Sequence, residues 1–474
     1  MNQPDVAHPD GKWYEGISRY QWLVLVIASL GWIFDVFEGQ IFVASMREAM
    51  PSLTEDGDPV ATYNNIALAA FLLGGAIGGI LFGMLSDRIG RKKTMSITII
   101  FYSLFTCLSA FSTDWWHLAA FRFLVAMGVG GEWAVASSLI AEVFPKRSRA
   151  QMSSIFHASS VFGTYLAIAA GAFLIGNEAV QSWAETSSPS WMRDMWDPST
   201  LPWRIGFALG VLPALLIIWI RISLKEPDSW VEAQSRAENG NGEQLGAFRD
   251  LFSSKFRRGT IIGLVLAAVG MATFWGAHIY GKDVFLAAKE VEVAAANGID
   301  LSELDDESRR EVLKAFSPQL KQAEMWGMFL VTTGGGIGLV CFGFICQRIG
   351  RRRTFVIYHL GGFVIAAVVF LMLENSSVLL VALPVFGFLT LGMHAGYAVY
   401  FPELFPTRLR GTGAGLCFNG GRIIAAPVLI LRGILRDDYQ WTMNEVGIAL
   451  ATLFLVGAGA ALLGPETRDL DLTD

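Results

Sequence analysis

Residues 83–93 read GMLSDRIGRKK, and the phrase returns 260 positions later as GFICQRIGRRR at residues 343–353. Each copy is a short basic turn between two apolar stretches. Upstream of the first copy, residues 62–84 are almost uncharged and crowded with glycine, and another apolar run begins at Thr94. A basic turn between two membrane-length segments is the mark of a cytoplasmic loop. A second pair keeps the same spacing: EVFPKRSR at 142–149 and ELFPTRLR at 403–410 are offset by 261. Two independent pairs at one offset point to a duplicated half.

The composition agrees. With 53% apolar and 16% charged side chains over 474 residues, the chain is not that of an ordinary soluble protein. Its net charge of −6 matters less than where the charges fall. The polar first 19 residues and the long first apolar run argue against a cleavable signal peptide. Cys107, Cys341, Cys346 and Cys417 all fall inside apolar runs, so neither a disulfide framework nor a metal site is expected.

A bilayer core of roughly 30 Å needs about 20 apolar residues per crossing. Twelve such runs are legible: 20–45, 62–85, 94–112, 116–141, 152–175, 203–223, 259–281, 323–346, 354–373, 377–401, 412–433 and 445–464. Lysine and arginine gather on alternate loops: at 88–93, 146–149, 255–258, 348–353 and 408–410. That asymmetry places both termini in the cytoplasm. The expected organisation is an N-terminal six-helix half (1–223), a cytoplasmic linker (224–257) and a C-terminal half (258–474). The second half carries an extracytoplasmic insertion at 282–322, where one or two amphipathic helices are expected, as a solvated surface or a lid.

Charges inside the spans are the functional candidates. The first span contains GWIFDVFEGQIF, which sets Asp35 and Glu38 three residues apart on one helical face. A charge at mid-span costs roughly 2.5–3.5 kcal/mol. Two on one face require a cavity, a partner cation or a bound proton, or else a structural ion pair. The fourth span carries Arg122 and Glu132, ten residues apart, so they should have different partners. In the eleventh span Arg422 lies near the midpoint with Asn419 one turn before it. Its planar fork suits a carboxylate, whether a substrate's or that of Asp35 or Glu38. His278 and His394 are candidates for titration or hydrogen bonding, and Trp133, Phe274, Trp275 and Tyr397 for lining a cavity or for packing.

The repeated loop also has a mechanical reading. Asp87 can accept hydrogen bonds from a helix N-terminus of the other half, while Arg88 and Arg91 bridge to acids such as Glu142. With Gly83, Gly90 and Arg149 these residues form a candidate conformational lock. Gln347 replaces Asp87 in the second copy, so the lock should be weaker or absent there. The loop could instead be an orientation signal alone.

The loop pattern G-x-L-x-D-R-x-G-R-K-K resembles that of the major facilitator superfamily, and the resemblance covers essentially the whole chain. D-x-x-E at 35–38, GGEW at 130–133, LKEPDSW at 224–230, ELFPTRLRGTG at 403–413, NGGR at 419–422 and PETRDLDL at 465–472 are similar to the superfamily's organic-acid:proton symporters, the aromatic-acid, sialate and metabolite groups. The aromatic-acid relatives carry a DGYD-like run in the first span, whereas Val36 and Phe37 separate an aspartate from a glutamate here. The resemblance implies an all-α membrane protein of twelve helices in two pseudo-symmetric six-helix halves, working by alternating access at the midplane. The reading is proton-coupled uptake of a small organic anion. Asp35, Glu38 and Glu132 are assigned to the proton, and Arg422, Arg122, Asn419, His394, Trp275 and Tyr397 to the substrate. Sugar or polyol symport and a non-transporting receptor are the alternatives. Neither a metal-ligand cluster nor a nucleophile–base set appears, so neither an enzyme nor a cofactor is expected. The partners expected are substrate, protons and lipid, without nucleic acid, and the chain is expected to be a monomer in the cell membrane.

Overall fold

In the computed structural model, residues 12–472 are described except 56, 176, 240–243, 279, 373–374 and 438. Every regular element among them is helical. Twelve long helices appear in chain order: α1 Arg19–Ala49, α2 Val60–Ile89, α3 Arg91–Ser109, α4 Trp115–Val143, α5 Lys146–Ile175, α6 Pro198–Ile220, α7 Arg257–Ala296, α8 Ser317–Ile349, α9 Arg351–Leu371, α10 Ser376–Glu403, α11 Arg410–Asp437 and α12 Met443–Leu463. Ten are long and apolar enough to span a bilayer by composition alone. The other two are α3 and α11, which open on RKK and carry Arg422, respectively.

The helices form two compact units. The first comprises residues 1–261, 398–423 and 469–474, and the second 262–397 and 424–468. This boundary differs from the one the repeat suggests. Residues 398–423, at the basic-loop ends of α10 and α11, pack with the first six helices because their charges and glycines are engaged there, as described below.

The duplication is visible in backbone packing. In the first unit Gly74 lies against the backbone of Phe123 and Gly78 against that of Met127, so α2 and α4 meet with no room for a Cβ. In the second unit Gly334 lies against Pro384 and Gly338 against Phe388, which joins α8 to α10 in the same way. Each glycine and its partner recur at the offset of 260 or 261 found in the loops. Small residues at these positions let main chains touch where lipid supplies no hydrophobic drive between helices.

The helix starts after the basic turns are also duplicated. Gly90 (φ 105°) and Gly350 (φ 95°) hold left-handed backbone that suits glycine, and each turns the chain directly into the next helix. At α3 the free N–H groups of Arg91 and Lys92 donate to Glu226 (2.7 and 3.2 Å), from the LKEPDSW run. At α9 those of Arg351 and Arg352 donate to Glu466 (2.9 and 3.2 Å), from PETR. A carboxylate at a helix N-terminus satisfies orphan donors and meets the positive end of the dipole.

Into the segment 282–322 runs the helix Tyr280–Ala296, which follows a π-turn at Phe274–His278. Only Asp306–Lys314 is a separate amphipathic helix, capped by Asp305, whose carboxyl is held below its ordinary range by the Ser308 N–H. α8 then starts at Ser317.

Replacing the two capping carboxylates tests their weight. Glu226→Ala should lower thermal stability by about 1–2 kcal/mol. Glu466→Ala should cost less, since Glu466 is exposed while Glu226 is half-buried. Melting of the two purified variants in one detergent measures the difference; equal losses would show that solvent exposure does not govern the caps.

Candidate functional site

Both groups of candidate residues described first lie in the first unit. At the basic-loop ends, Asp87 is fully buried and accepts from Gly411 N (3.0 Å), Thr412 N (2.8 Å) and Thr412 Oγ1 (2.6 Å) at the start of α11. Gly83 lets α2 approach the Gly411 carbonyl. Arg91 donates to Asp87 Oδ1 (2.8 Å), forks onto Glu142 (2.7 and 3.1 Å) and reaches the Thr407 carbonyl (2.9 Å). Arg410 completes the network, donating to the same Glu142 carboxylate (2.9 Å) and to Pro402 O. Trp230 donates to the Asp87 carbonyl (2.8 Å) from the helix Asp228–Glu238. Arg88 does not share in this: it is exposed, beside Gly246, and Arg91 alone of the two bridges to Glu142. The reason is the turn between them: Arg88 belongs to the last turn of α2, whereas Arg91 opens α3 after the left-handed Gly90, so the two side chains leave different helices. Arg149 is buried at the start of α5.

Nearer the middle of the helices, Asp35, Glu38, Arg122 and Glu132 are all buried. Arg122 Nη1 stands 3.9 Å from Glu38, and its Nη2 donates to Ser109 (2.8 Å). The same guanidinium lies over the rings of Phe207 (4.7 Å) and Phe42 (5.6 Å). Glu132 is bonded to the Thr98 hydroxyl (2.6 Å). Its other oxygen fills the space beside Gly31, 2.7 Å from where a Cβ would stand. Arg122 and Glu132 thus have different partners. Asp35 lies near Glu132, Glu38, Tyr102 and Arg422, and among the described residues neither of its oxygens has a hydrogen-bond partner. Arg422 occupies the space beside Gly75 and lies over Phe418 (5.6 Å), with Nη1 buried and unbonded. Asn419 donates to Gly130 O (3.2 Å), fixing α11 against α4.

The remaining candidates sit in the second unit. His278 Nδ1 is 2.7 Å from Thr390 Oγ1, on the π-turn of α7, and is stacked on Phe274. His394 lies in the 3-10 turn Gly392–His394, beside Phe274 and Tyr397, with Nε2 unbonded. Tyr397 is buried; its hydroxyl donates to Leu266 O (2.9 Å) and its ring stacks on Phe355, which are packing contacts. The Trp275 side chain lies outside the described residues.

A family model described as "Major Facilitator Superfamily" matches residues 41–426. The chain belongs to the major facilitator superfamily. It is a multi-pass membrane protein whose relatives are transporters. It is 26% identical to a probable 4-methylmuconolactone transporter of Cupriavidus pinatubonensis, over 97% of this chain and 94% of that one. It is 29% identical to the sialic acid transporter NanX of Escherichia coli, over 88% of both. The fold matches the proton:xylose symporter XylE bound to 6-bromo-6-deoxy-D-glucose, with a TM-score of 0.63, 17% identity, and 94% and 96% of the two chains covered.

Within this superfamily protein, sequence reasoning missed three participants. Tyr102 stands beside Asp35, and Thr98 holds Glu132, yet both look like ordinary polar residues of α3. His157 accepts from the Trp133 indole (3.2 Å) and was passed over because its surroundings, SIFHASS, carry no charge. An uncharged residue in a span gives no cost signal of the kind that exposed Asp35.

The Asp87 network predicts an accessibility change that a native cysteine reports. Cys417 is buried on α11 against Thr260 O. In a protein with the other three cysteines replaced by serine, Asp87→Asn should raise the maleimide labelling rate of Cys417 by about tenfold, because charge-assisted bonds are worth roughly 1.5–3 kcal/mol. Gln347→Leu should change it less than twofold by the same reasoning. Equal rates in the two variants would reduce the loop to an orientation signal.

Proposed function

We propose that this protein carries a small organic anion across the cell membrane together with a proton, into the cytoplasm, with both termini on the cytoplasmic side. The observation that carries the reading is the charge balance of the buried cluster. Asp35, Glu38 and Glu132 supply three carboxyls against the two guanidiniums of Arg122 and Arg422, so full ionisation leaves one negative charge uncompensated. An uncompensated buried charge costs several kcal/mol, and one bound proton removes it.

Two details support a proton here. Thr98 Oγ1 is within bonding distance of both Met95 O (2.9 Å) and Glu132 Oε2 (2.6 Å). One hydroxyl proton cannot serve both, whereas a protonated Glu132 would donate to Thr98 and leave the hydroxyl for Met95. Asp35 has no hydrogen-bond partner among the described residues. In this proposal Asp35, with Glu38 or Glu132 sharing the load, takes the proton. Arg422, with its unbonded Nη1, holds the substrate carboxylate. Arg122 is committed to Glu38 and Ser109, which leaves it the smaller share. Asn419 sets the height of Arg422 on α11, and His394 offers a further hydrogen-bonding group.

The proposed division of labour follows the repeat: halves 1–223 and 258–474 joined by the linker 224–257. Alternating access would then break and remake the Asp87, Arg91, Glu142 and Arg410 contacts once per cycle.

Reconstituted protein under an imposed proton gradient, challenged with pooled carboxylic acids and their amides, tests the reading. Asp35→Asn should abolish accumulation against a gradient while counterflow exchange persists. Accumulation equal to the parent's, in both Asp35→Asn and Glu38→Gln, would assign coupling elsewhere.

Arg422→Gln separates substrate contact from structure. The apparent KM should rise at least tenfold for carboxylates and much less for amides, as expected for a lost charge-assisted bond of about 1.5–3 kcal/mol. Equal losses for acid and amide would make Arg422 a structural residue.

A further inference from the structure

The rings of Trp32, Trp133 and Phe418 surround one histidine of the first unit. His157, on α5, is buried. The Trp133 indole of α4 donates to its Nδ1 (3.2 Å), and the Trp32 indole of α1 donates to its main-chain carbonyl (3.2 Å). An indole N–H only donates, so Nδ1 must present a lone pair and the ring proton must sit on Nε2. Trp133 in turn stacks on Phe418 of α11, with centroids 3.7 Å apart and planes at 17°. Phe418 lies under Arg422 and immediately precedes Asn419, which is bonded to α4 at Gly130.

We propose that His157 is a positioning residue of the transport site: its bare Nδ1 holds the Trp133 ring flat against Phe418, and this stack sets where α11 presents Asn419 and Arg422. The inference rests on the reading of that cluster as the transport site. Along α11 the order is Gly411 and Thr412 at the Asp87 contact, then Phe418, then Arg422. Trp133 lies between Glu142 and Arg122 along α4, and directly follows Glu132. The stack therefore stands between the loop network and the charge cluster on both helices.

The contact is sensitive to the chemistry of one atom. Leucine at position 157 keeps the main-chain carbonyl that Trp32 uses but removes the acceptor for Trp133. The Trp133 N–H is then buried without a partner and the ring gains a reason to rotate. Asparagine places an amide oxygen near the position of Nδ1 and restores an acceptor.

The test uses the full chain in nanodiscs, labelled with 5-fluorotryptophan, with the Trp133 resonance assigned by its loss in Trp133→Phe. His157→Leu should shift and broaden that resonance, His157→Asn should keep it single and near its parent position, and Phe418→Leu should shift it as a control for the stack. An unchanged resonance in His157→Leu would overturn the proposal, as would equal disturbance by leucine and asparagine. Should His157→Leu fail to fold, nitrogen NMR of the parent labelled with 15N-histidine decides. His157, assigned by its loss in His157→Asn, must show an unprotonated Nδ1, and a protonated Nδ1 would overturn the proposal. These readouts need no substrate. If the fluorine result holds and proton-driven uptake fails, His157 still positions Trp133 while the transport reading falls.

Discussion

One carboxylate, Glu142, receives two arginines from opposite ends of the chain. Arg91 binds it with two hydrogen bonds and Arg410 with a third, and Arg91 also binds Asp87, which caps the first turn of α11. The charged side chains of Asp87, Arg91, Glu142 and Arg410 are all buried, so removing one partner would leave an unpaired charge rather than a solvated one. That asymmetry explains why residues 398–423 belong to the first compact unit although the duplication assigns them to the second half. It also fixes how far α11 reaches past α2 and α4. Asn419 and Arg422 stand beside Gly79 and Gly75 because Gly411 and Thr412 are held at Asp87 and Gly83.

The cluster above this network has the opposite character. The loop network is densely hydrogen-bonded; the cluster is not. Among the described residues, Asp35 and Glu38 have no hydrogen-bond partner, Arg122 pairs with Glu38 only at 3.9 Å, and Arg422 leaves Nη1 free. Glycines stand beside one oxygen of Glu132 (Gly31), beside Arg422 (Gly75) and beside Glu38 (Gly210), where a larger residue would have no room. Unsatisfied polar groups are costly in low dielectric, and a protein that tolerates them keeps their bonding capacity for something that comes and goes. A saturated network suits a contact that holds one conformation, and an unsaturated one suits a binding site.

Between the two lies the aromatic stack of Trp133 and Phe418, tied through His157 to α1 and α5. Four helices meet there through rings and one histidine. It joins a rigid region to an under-bonded one.

The sequence by itself determined the membrane class, the twelve spans, the duplication and its offset, and which acids and arginines fall inside spans, because each follows from local composition or from the cost of a charge in a span. Helical spacing alone also put Asp35 and Glu38 on one face and separated Arg122 from Glu132. Only the tertiary structure decided the pairings. Arg91 meets Glu142 and Arg122 meets Glu38, because these pairings depend on how helices tens of residues apart in the chain come together. Charges near the end of Tyr280–Ala296 break the apolar run without breaking the helix, so the sequence placed the end of that span early. His157 and Tyr102 escaped for the converse reason: an uncharged polar side chain in a span looks unremarkable until its neighbours are known.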